Sequence, residues 1–198
     1  MLVDIELLKS YGGITETFSS SDIIFNEDDV PKYYYQIISG FVKLNHIDED
    51  GKELIQSILS DGQSVCELLL FIDENYPVNA VAISKCTIIK TPKQKFLLLL
   101  DEHHKSATDV RKFISERLYH KFIMMQNNAS KHSHERIKGI LVYFKSLSDD
   151  QTQYSYEVPL TRQQLASITG LRIETVIRAV KKMESEKFLK IKNRKIYF

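Results

Sequence analysis

The chain has 198 residues, enough for one large domain or two small ones, with 27 Lys and Arg against 26 Asp and Glu. Its apolar runs fall short of the roughly 18 residues of a membrane span, and Met1-Leu2-Val3-Asp4 lacks the basic start of a secretory signal. A membrane protein is therefore excluded and the cytoplasm is the expected compartment, while Cys66 and Cys86 are too few for a disulfide framework or a four-thiolate cluster and read as small buried hydrophobes.

The net charge of +1 conceals a division. Residues 131–198 carry 14 Lys and Arg against 7 Asp and Glu, a net +7, which leaves 13 against 19, a net −6, for residues 1–130. Charge asymmetry of this kind points to a nucleic-acid partner for the basic half.

In chain order, Leu2, Ile5, Leu7 and Leu8 predict a short leading helix over residues 2–11. Beyond Gly12-Gly13 come short β-rich runs at Phe18, Ile23 to Phe25, Tyr33 to Ile38, Phe41 to Leu44, Leu54 to Leu59, Val78 to Ile83 and Thr87 to Lys90. Turn chemistry separates them at Asn26 to Pro31, Ser39-Gly40, Asp48 to Gly51, Asp61-Gly62 and Asp73 to Pro77. Many short strands at close spacing predict an antiparallel roll or barrel.

Helical character resumes over 93–100, and a longer helix follows over 106–131. Val110, Ile114, Leu118, Phe122, Met125 and Ala129 form one apolar seam on it, with Phe113 and Met124 beside the seam. Such a seam packs on the chain's own roll or on a partner helix; its length favours a parallel homodimer. Lys131 to His134 breaks the apolar pattern and reads as a hinge. Ile137, Ile140, Leu141, Phe144 and Leu147 then predict another helix, Ser148 to Ser155 a turn, and Tyr156 to Leu160 a small strand. The six histidines, His132-x-His134 and His103-His104 among them, have no acidic or sulfur partner at metal spacing, so no metal site is expected.

Thr161, with Gln164 three residues on, has the form of a capping box, so a helix starts there and buries Leu165, Ala166 and Ile168. Gly170 ends it, because a tight turn between crossing helices needs a residue that tolerates positive φ. In the helix that follows, Val176, Ala179, Val180 and Met183 share one face, while Glu174, Ile177, Arg178 and Lys181 fall on another. That second stripe suits a major groove: Glu accepts from cytosine N4, Arg forks onto guanine O6 and N7, and Lys meets phosphate. The alternative is that Glu174 and Arg178, spaced i,i+4, pair with each other on a solvated face. Finally, alternating apolar residues on either side of Asn193-Arg194 predict a short basic hairpin, with cations placed for phosphates or to protect a sheet edge.

Roll, long helix, hinge and winged helix-turn-helix, in that order, resemble the cyclic AMP receptor protein and fumarate-nitrate regulator (Crp/Fnr) family of bacterial transcription factors over essentially the whole chain. The most specific part is Gly170 to Arg178, similar to the family's recognition-helix entry with its Glu-Thr-Val and following Arg. The resemblance implies base reading by Glu174 and Arg178. Ile173 stands where the cyclic AMP branch has another reading Arg, Ile177 where the fumarate-nitrate branch has Ser, and Arg172 replaces the usual hydroxyl cap. The expected DNA-contacting set is Thr161, Arg162, Gln163, Arg172, Ile173, Glu174, Thr175, Ile177, Arg178, Lys181, Arg194 and Lys195.

In the roll, Gly62 to Ala80 is similar to the family's phosphate-binding cassette, which implies an effector pocket at Val65, Cys66, Glu67, Leu68, Val78 and Asn79, with Lys121 and Phe122 from the long helix. Glu67 is kept, but Val78 replaces the cassette arginine, Asn79 its neighbouring serine, and Lys121 and Phe122 the family's Thr and Ser. No Lys or Arg lies between Gly62 and Ala80, so cyclic AMP binding is not expected; the pocket reads as apolar or filled. The amino-terminal cysteine cluster of the fumarate-nitrate branch is missing too, so no cofactor is expected and the effector stays open.

The fold class is α+β: an antiparallel β-roll like that of cyclic-nucleotide-binding domains over 1–105, a dimerisation helix and hinge over 106–132, and a winged helix-turn-helix domain over 133–198. The expected function is sequence-specific DNA binding as a homodimer on a palindromic operator, not catalysis, with double-stranded DNA, a second copy and RNA polymerase as partners. The alternative is a ligand-sensing module that acts through protein partners rather than DNA.

Overall fold

The computed structural model describes residues 2–146, 148 and 150–198; Met1 at the chain start, Leu147, expected in the helix beneath the helix-turn-helix, and Asp149, within the turn expected from Ser148 to Ser155, lie outside the described residues. Packing divides the chain into two units, Met1–Glu116 and Arg117–Phe198.

The first unit opens with α1 (Ile5–Ser10), started by Asp4, whose carboxylate accepts from the Leu7 N–H at 2.9 Å. Seven strands follow: β1 (Ile14–Phe18), β2 (Ile23–Phe25), β3 (Tyr33–Ser39), β4 (Val42–Ile47), β5 (Glu53–Leu59), β6 (Asn79–Ala82) and β7 (Cys86–Pro92). They form two antiparallel sheets, ordered β1-β7-β3 and β2-β6-β4-β5. Each expected β-rich run is a strand here, and β1 extends back to Ile14. Both sheets contribute to one core: Tyr35, Ile37, Cys86 and Ile88 from the first meet Phe25, Val42, Leu44, Leu59, Ala80 and Ala82 from the second. Cys66 and Cys86 are both buried in that core, and the Cys86 thiol donates to the Phe41 carbonyl at 3.1 Å.

Strand alternation sends Tyr34 and Ile89 to the opposite face of the first sheet, where α2 (Lys93–Glu102) supplies Phe96, Leu99 and Leu100. Tyr34 stacks on Phe96 with centroids 3.8 Å apart and planes 6° off parallel. Burying a ring such as Phe96 contributes roughly 1.5 to 3 kcal/mol, so this second cluster is what clamps the helices to the roll.

Helix α3 (His104–Asn128) begins two residues before and ends three residues before the expected helix. Its start is committed to the second cluster. Val110 is buried there and Ile114 packs against it, so these two seam residues serve the roll and not a partner. Periodicity could not separate the two uses, because both lie on the same stripe. Ala129, the last of the seam, sits in the turn beyond the helix end. The seam residues in the second unit are exposed, Leu118 at 53 %, Phe122 at 55 % and Met125 at 68 %.

The second unit continues with α4 (Ser133–Ser146), α5 (Arg162–Thr169), α6 (Ile173–Ser185) and the hairpin β8 (Lys190–Lys192) and β9 (Lys195–Tyr197). Because α4 starts at Ser133, Ser133 and His134 are helical and the break expected over 131–134 is instead 129–132. Ile137, Ile140, Leu141 and Phe144 of α4 are buried as expected. Tyr156 to Leu160 forms no strand; Glu157 makes one isolated bridge to Tyr197, and the Val158 N–H donates to the Ile196 carbonyl at 2.9 Å. Pro159 has no N–H to extend that ladder.

Lys145 was not singled out in the sequence, yet its side chain is buried. Its ammonium donates to the Thr152 carbonyl and to the Phe198 main-chain oxygen (2.7 Å) and lies 5.6 Å from the Phe198 ring centroid. It ties Thr152 to Phe198, the residue after β9, a role that no local pattern announces.

Candidate nucleic-acid interface

The helix-turn-helix is set by local chemistry. Thr161 Oγ1 accepts from the Gln164 N–H at 3.1 Å and Gln164 Oε1 accepts from the Thr161 N–H at 2.8 Å, so the expected capping box is complete. Leu165, Ala166 and Ile168 are buried. Gly170 closes α5 at φ +66°, and a Cβ built there meets nothing within 4 Å. The requirement for glycine is therefore conformational and not steric. Leu171 then donates back to the Ala166 carbonyl at 3.2 Å, and two residues later α6 begins. Arg172 stands at its N-cap with no side-chain bond to the helix.

Helix α6 buries Val176, Ala179, Val180 and Met183, the face expected to point inward. That leaves Glu174, Ile177, Arg178 and Lys181 exposed, and Ile173 and Thr175 half-buried at the first turn. The i,i+4 pairing of Glu174 with Arg178 is not made: among the described residues neither side chain forms an ion pair. An acid and a base presented side by side, each with its hydrogen-bonding capacity open, can address base edges.

The hairpin stands beside this helix as the sequence predicted. Lys192 and Lys195 are in register, joined by Asn193 at φ 50° and Arg194 at φ 64°. Positive φ at both centres is the type I′ hairpin turn, which Asn tolerates and Gly favours. Arg194 is in a conformation that costs an L-residue about 1 to 2 kcal/mol. Its carbonyl accepts from Arg162 Nη1, so the first residue of α5 holds the tip in place; burial lowers the Arg162 pKa from its ordinary value. Replacing Arg194 by Gly is expected to stabilise the protein by about 1 kcal/mol and yet weaken DNA binding, since the Arg162 contact is to main chain and survives. Melting and duplex anisotropy measured on the same sample check this, and undiminished DNA affinity would remove Arg194 from the interface.

Lys195 is less free than its position in the sequence implied. It pairs with Glu157, which also accepts from the Tyr197 hydroxyl at 2.7 Å. These two bonds hold the Glu157 carboxyl below the usual carboxylate range, and the carboxylate in turn raises the Lys195 ammonium. Thr161 and Gln163 are exposed at the start of α5.

The cassette residues are placed differently. Val65, Cys66 and Val78 are in the core shared by the two sheets, and Glu67 is 1 % exposed. Residues Glu67–Phe71 form a 3-10 turn entered through Cys66 at φ 52°, which turns Leu68 outward to 42 % exposure, so Leu68 does not line the interior. Asn79 spends its amide on structure: Oδ1 accepts from the Glu27 N–H at 2.9 Å and Nδ2 donates to the Asn45 carbonyl at 3.3 Å. Tyr76, not singled out beforehand, stacks on Phe25 at 3.7 Å and 12°, and burial raises its phenol far above the ordinary value. Lys121 and Phe122 are exposed on α3.

Comparison with known proteins assigns the parts. Residues 15–103 match the cyclic nucleotide-binding domain family, and residues 135–198 match the Crp-like helix-turn-helix domain family. The chain belongs to the Crp/Fnr family of DNA-binding transcription regulators. It is 24 % identical over 171 residues to the nitrogen fixation regulation protein FixK of Bradyrhizobium diazoefficiens, covering 84 % of this chain and 70 % of that protein. Over 175 residues it is 26 % identical to the cAMP-activated global transcriptional regulator CRP of Salmonella typhimurium, covering 87 % of this chain and 83 % of that one. In fold it is similar to FixK2 of Bradyrhizobium japonicum, with a TM-score of 0.81 at 19 % identity over 94 % of this chain and 92 % of that one. The family consists of transcription regulators and not enzymes. Among the described residues of this Crp/Fnr regulator, no helix is long and apolar enough to cross a membrane.

Proposed function

We propose that this regulator works in the cytoplasm as a homodimer, placing two copies of α6 in successive major grooves of an inverted repeat, with a roll interior filled by its own side chains. The observation that carries the reading is the α6 stripe, where Glu174, Arg178 and Lys181 are exposed with no ion pair among the described residues while Val176, Ala179, Val180 and Met183 anchor the opposite face. Dimerisation is supported by Leu118, Phe122 and Met125, three exposed apolar residues on one stripe of α3, whose transfer from water would drive association. Two recognition helices related by a two-fold axis meet grooves about 34 Å apart, so the operator is a split inverted repeat. RNA polymerase is the protein partner to which family membership points.

The filled interior is supported by chemistry that opposes a cyclic phosphate. Val78 occupies the place of the cassette arginine, the Asn79 amide is already bonded on both sides, and the Tyr76–Phe25 stack belongs to the same core. A phosphate leaving water needs a cation or several N–H donors in exchange. The cAMP activation in the name of the Salmonella relative is therefore not carried over. Titration calorimetry with cyclic AMP and cyclic GMP is expected to show no saturable heat at micromolar concentration, and saturable binding of either overturns the filled roll. Anisotropy on an inverted repeat selected from random duplexes tests the DNA reading: affinity should fall steeply with salt, by a log-log slope of about 0.9 per phosphate neutralised. A regulator acting only through protein partners would select no duplex.

A further inference from the structure

A helix leaves its last four carbonyls without partners of its own, and two of those on α5 are met from outside the helix-turn-helix. Asn128, the last residue of α3, donates from Nδ2 to the Ile168 carbonyl at 3.2 Å. Arg136, in the first turn of α4, donates from Nη1 to the Thr169 carbonyl at 3.3 Å and from Nε to the Ser130 carbonyl at 2.7 Å. One guanidinium thus joins the connector after α3 to the residue just before the Gly170 turn, and its charge lies where a helix C-terminus favours a cation. The neighbouring contact is close as well: a Cβ added to Gly139 of α4 would come within 2.3 Å of the Asn127 side chain of α3.

We infer that Asn128 and Arg136 are positioning residues for DNA binding, a clasp that fixes α5 and α6 in one orientation on the end of α3. Between α3 and α4 lie only residues 129–132, outside any helix, which alone would act as a pivot. With the clasp closed, the helix that carries the dimer seam dictates where the recognition helix points. The inference rests on the dimeric reading, since orientation matters most when two half-sites must be met at once.

The conservative variants Arg136→Lys and Asn128→Asp test it in the full chain. An ammonium has no planar fork to span two carbonyls, and a carboxylate sets an acceptor against the Ile168 carbonyl. The probes are an inverted repeat selected by the unmodified protein from random duplexes, the same repeat with its half-sites shifted by one and two base pairs, and a single half-site. The variants should keep half-site affinity within about twofold, lose roughly tenfold or more on the full repeat, and discriminate less among spacings. Losses of equal size on half and full sites, or no loss, overturn the clasp. Amide hydrogen exchange reads it independently of assembly: protection over 129–132 and 170–172 should fall about tenfold while that of 176–183 holds. Unchanged exchange at the connector, or a fall across the whole unit, also overturns it. If the unmodified protein itself shows no excess affinity for the full repeat, the dimeric reading fails, and the exchange result alone decides the clasp.

Discussion

Leu118→Glu or Phe122→Glu is expected to leave a folded monomer whose affinity for a two-half-site operator is lower by about a hundredfold or more. The size follows from two effects. Across a two-fold axis each substitution places a carboxylate opposite its own copy, and an uncompensated buried charge costs about 3 to 5 kcal/mol. Once the dimer separates, the second half-site no longer gains from being tethered to the first, and that gain is about a hundredfold to ten-thousandfold. The fold itself should be spared, because Leu118 and Phe122 are more than half exposed within the single chain. Val110→Glu serves as the contrast: Val110 is buried in the cluster under the roll, so this change should unfold the first unit rather than split a dimer. Sedimentation velocity and far-ultraviolet circular dichroism separate the two. An unmodified protein that sediments as a monomer and still binds an inverted repeat tightly would contradict the assembly.

Arg178→Ala is expected to cost about 1 to 3 kcal/mol on the selected operator and to relax preference at one base position. Arg178 is exposed on α6 without an ion pair among the described residues, so no intramolecular contact must break before its fork reaches guanine. Lys195→Ala, by comparison, should weaken all duplexes alike and only slightly, because its ammonium already pairs with Glu157 and exchanges one anion for another on meeting phosphate. Binding to cognate and scrambled duplexes at two salt concentrations gives the answer. Equal losses on both for Arg178→Ala would take it off the list of base readers.

The recognition unit was legible in the sequence because the interactions that build it are local. Thr161 and Gln164 cap one another across three residues, Gly170 supplies a positive φ at one position, and the inward face of α6 repeats at helical spacing. The strands were legible for the same reason: alternation over a few residues marks which side of a sheet is buried. Tertiary structure decided the rest, because the partners are far apart in the chain and local patterns are silent about them. The seam of α3 has one period from Val110 to Met125, but only the position of the second cluster commits Val110 and Ile114 to the roll and leaves Leu118, Phe122 and Met125 exposed. Leu68 and Leu69 are alike by composition, and the 3-10 turn alone sends one outward and the other inward. Tyr76 meets Phe25 across half the roll, Lys145 meets Phe198 53 positions away, and Arg136 meets Thr169 33 positions away. Buried polar groups must find partners wherever the fold brings them, and no spacing along the chain encodes which partner that is.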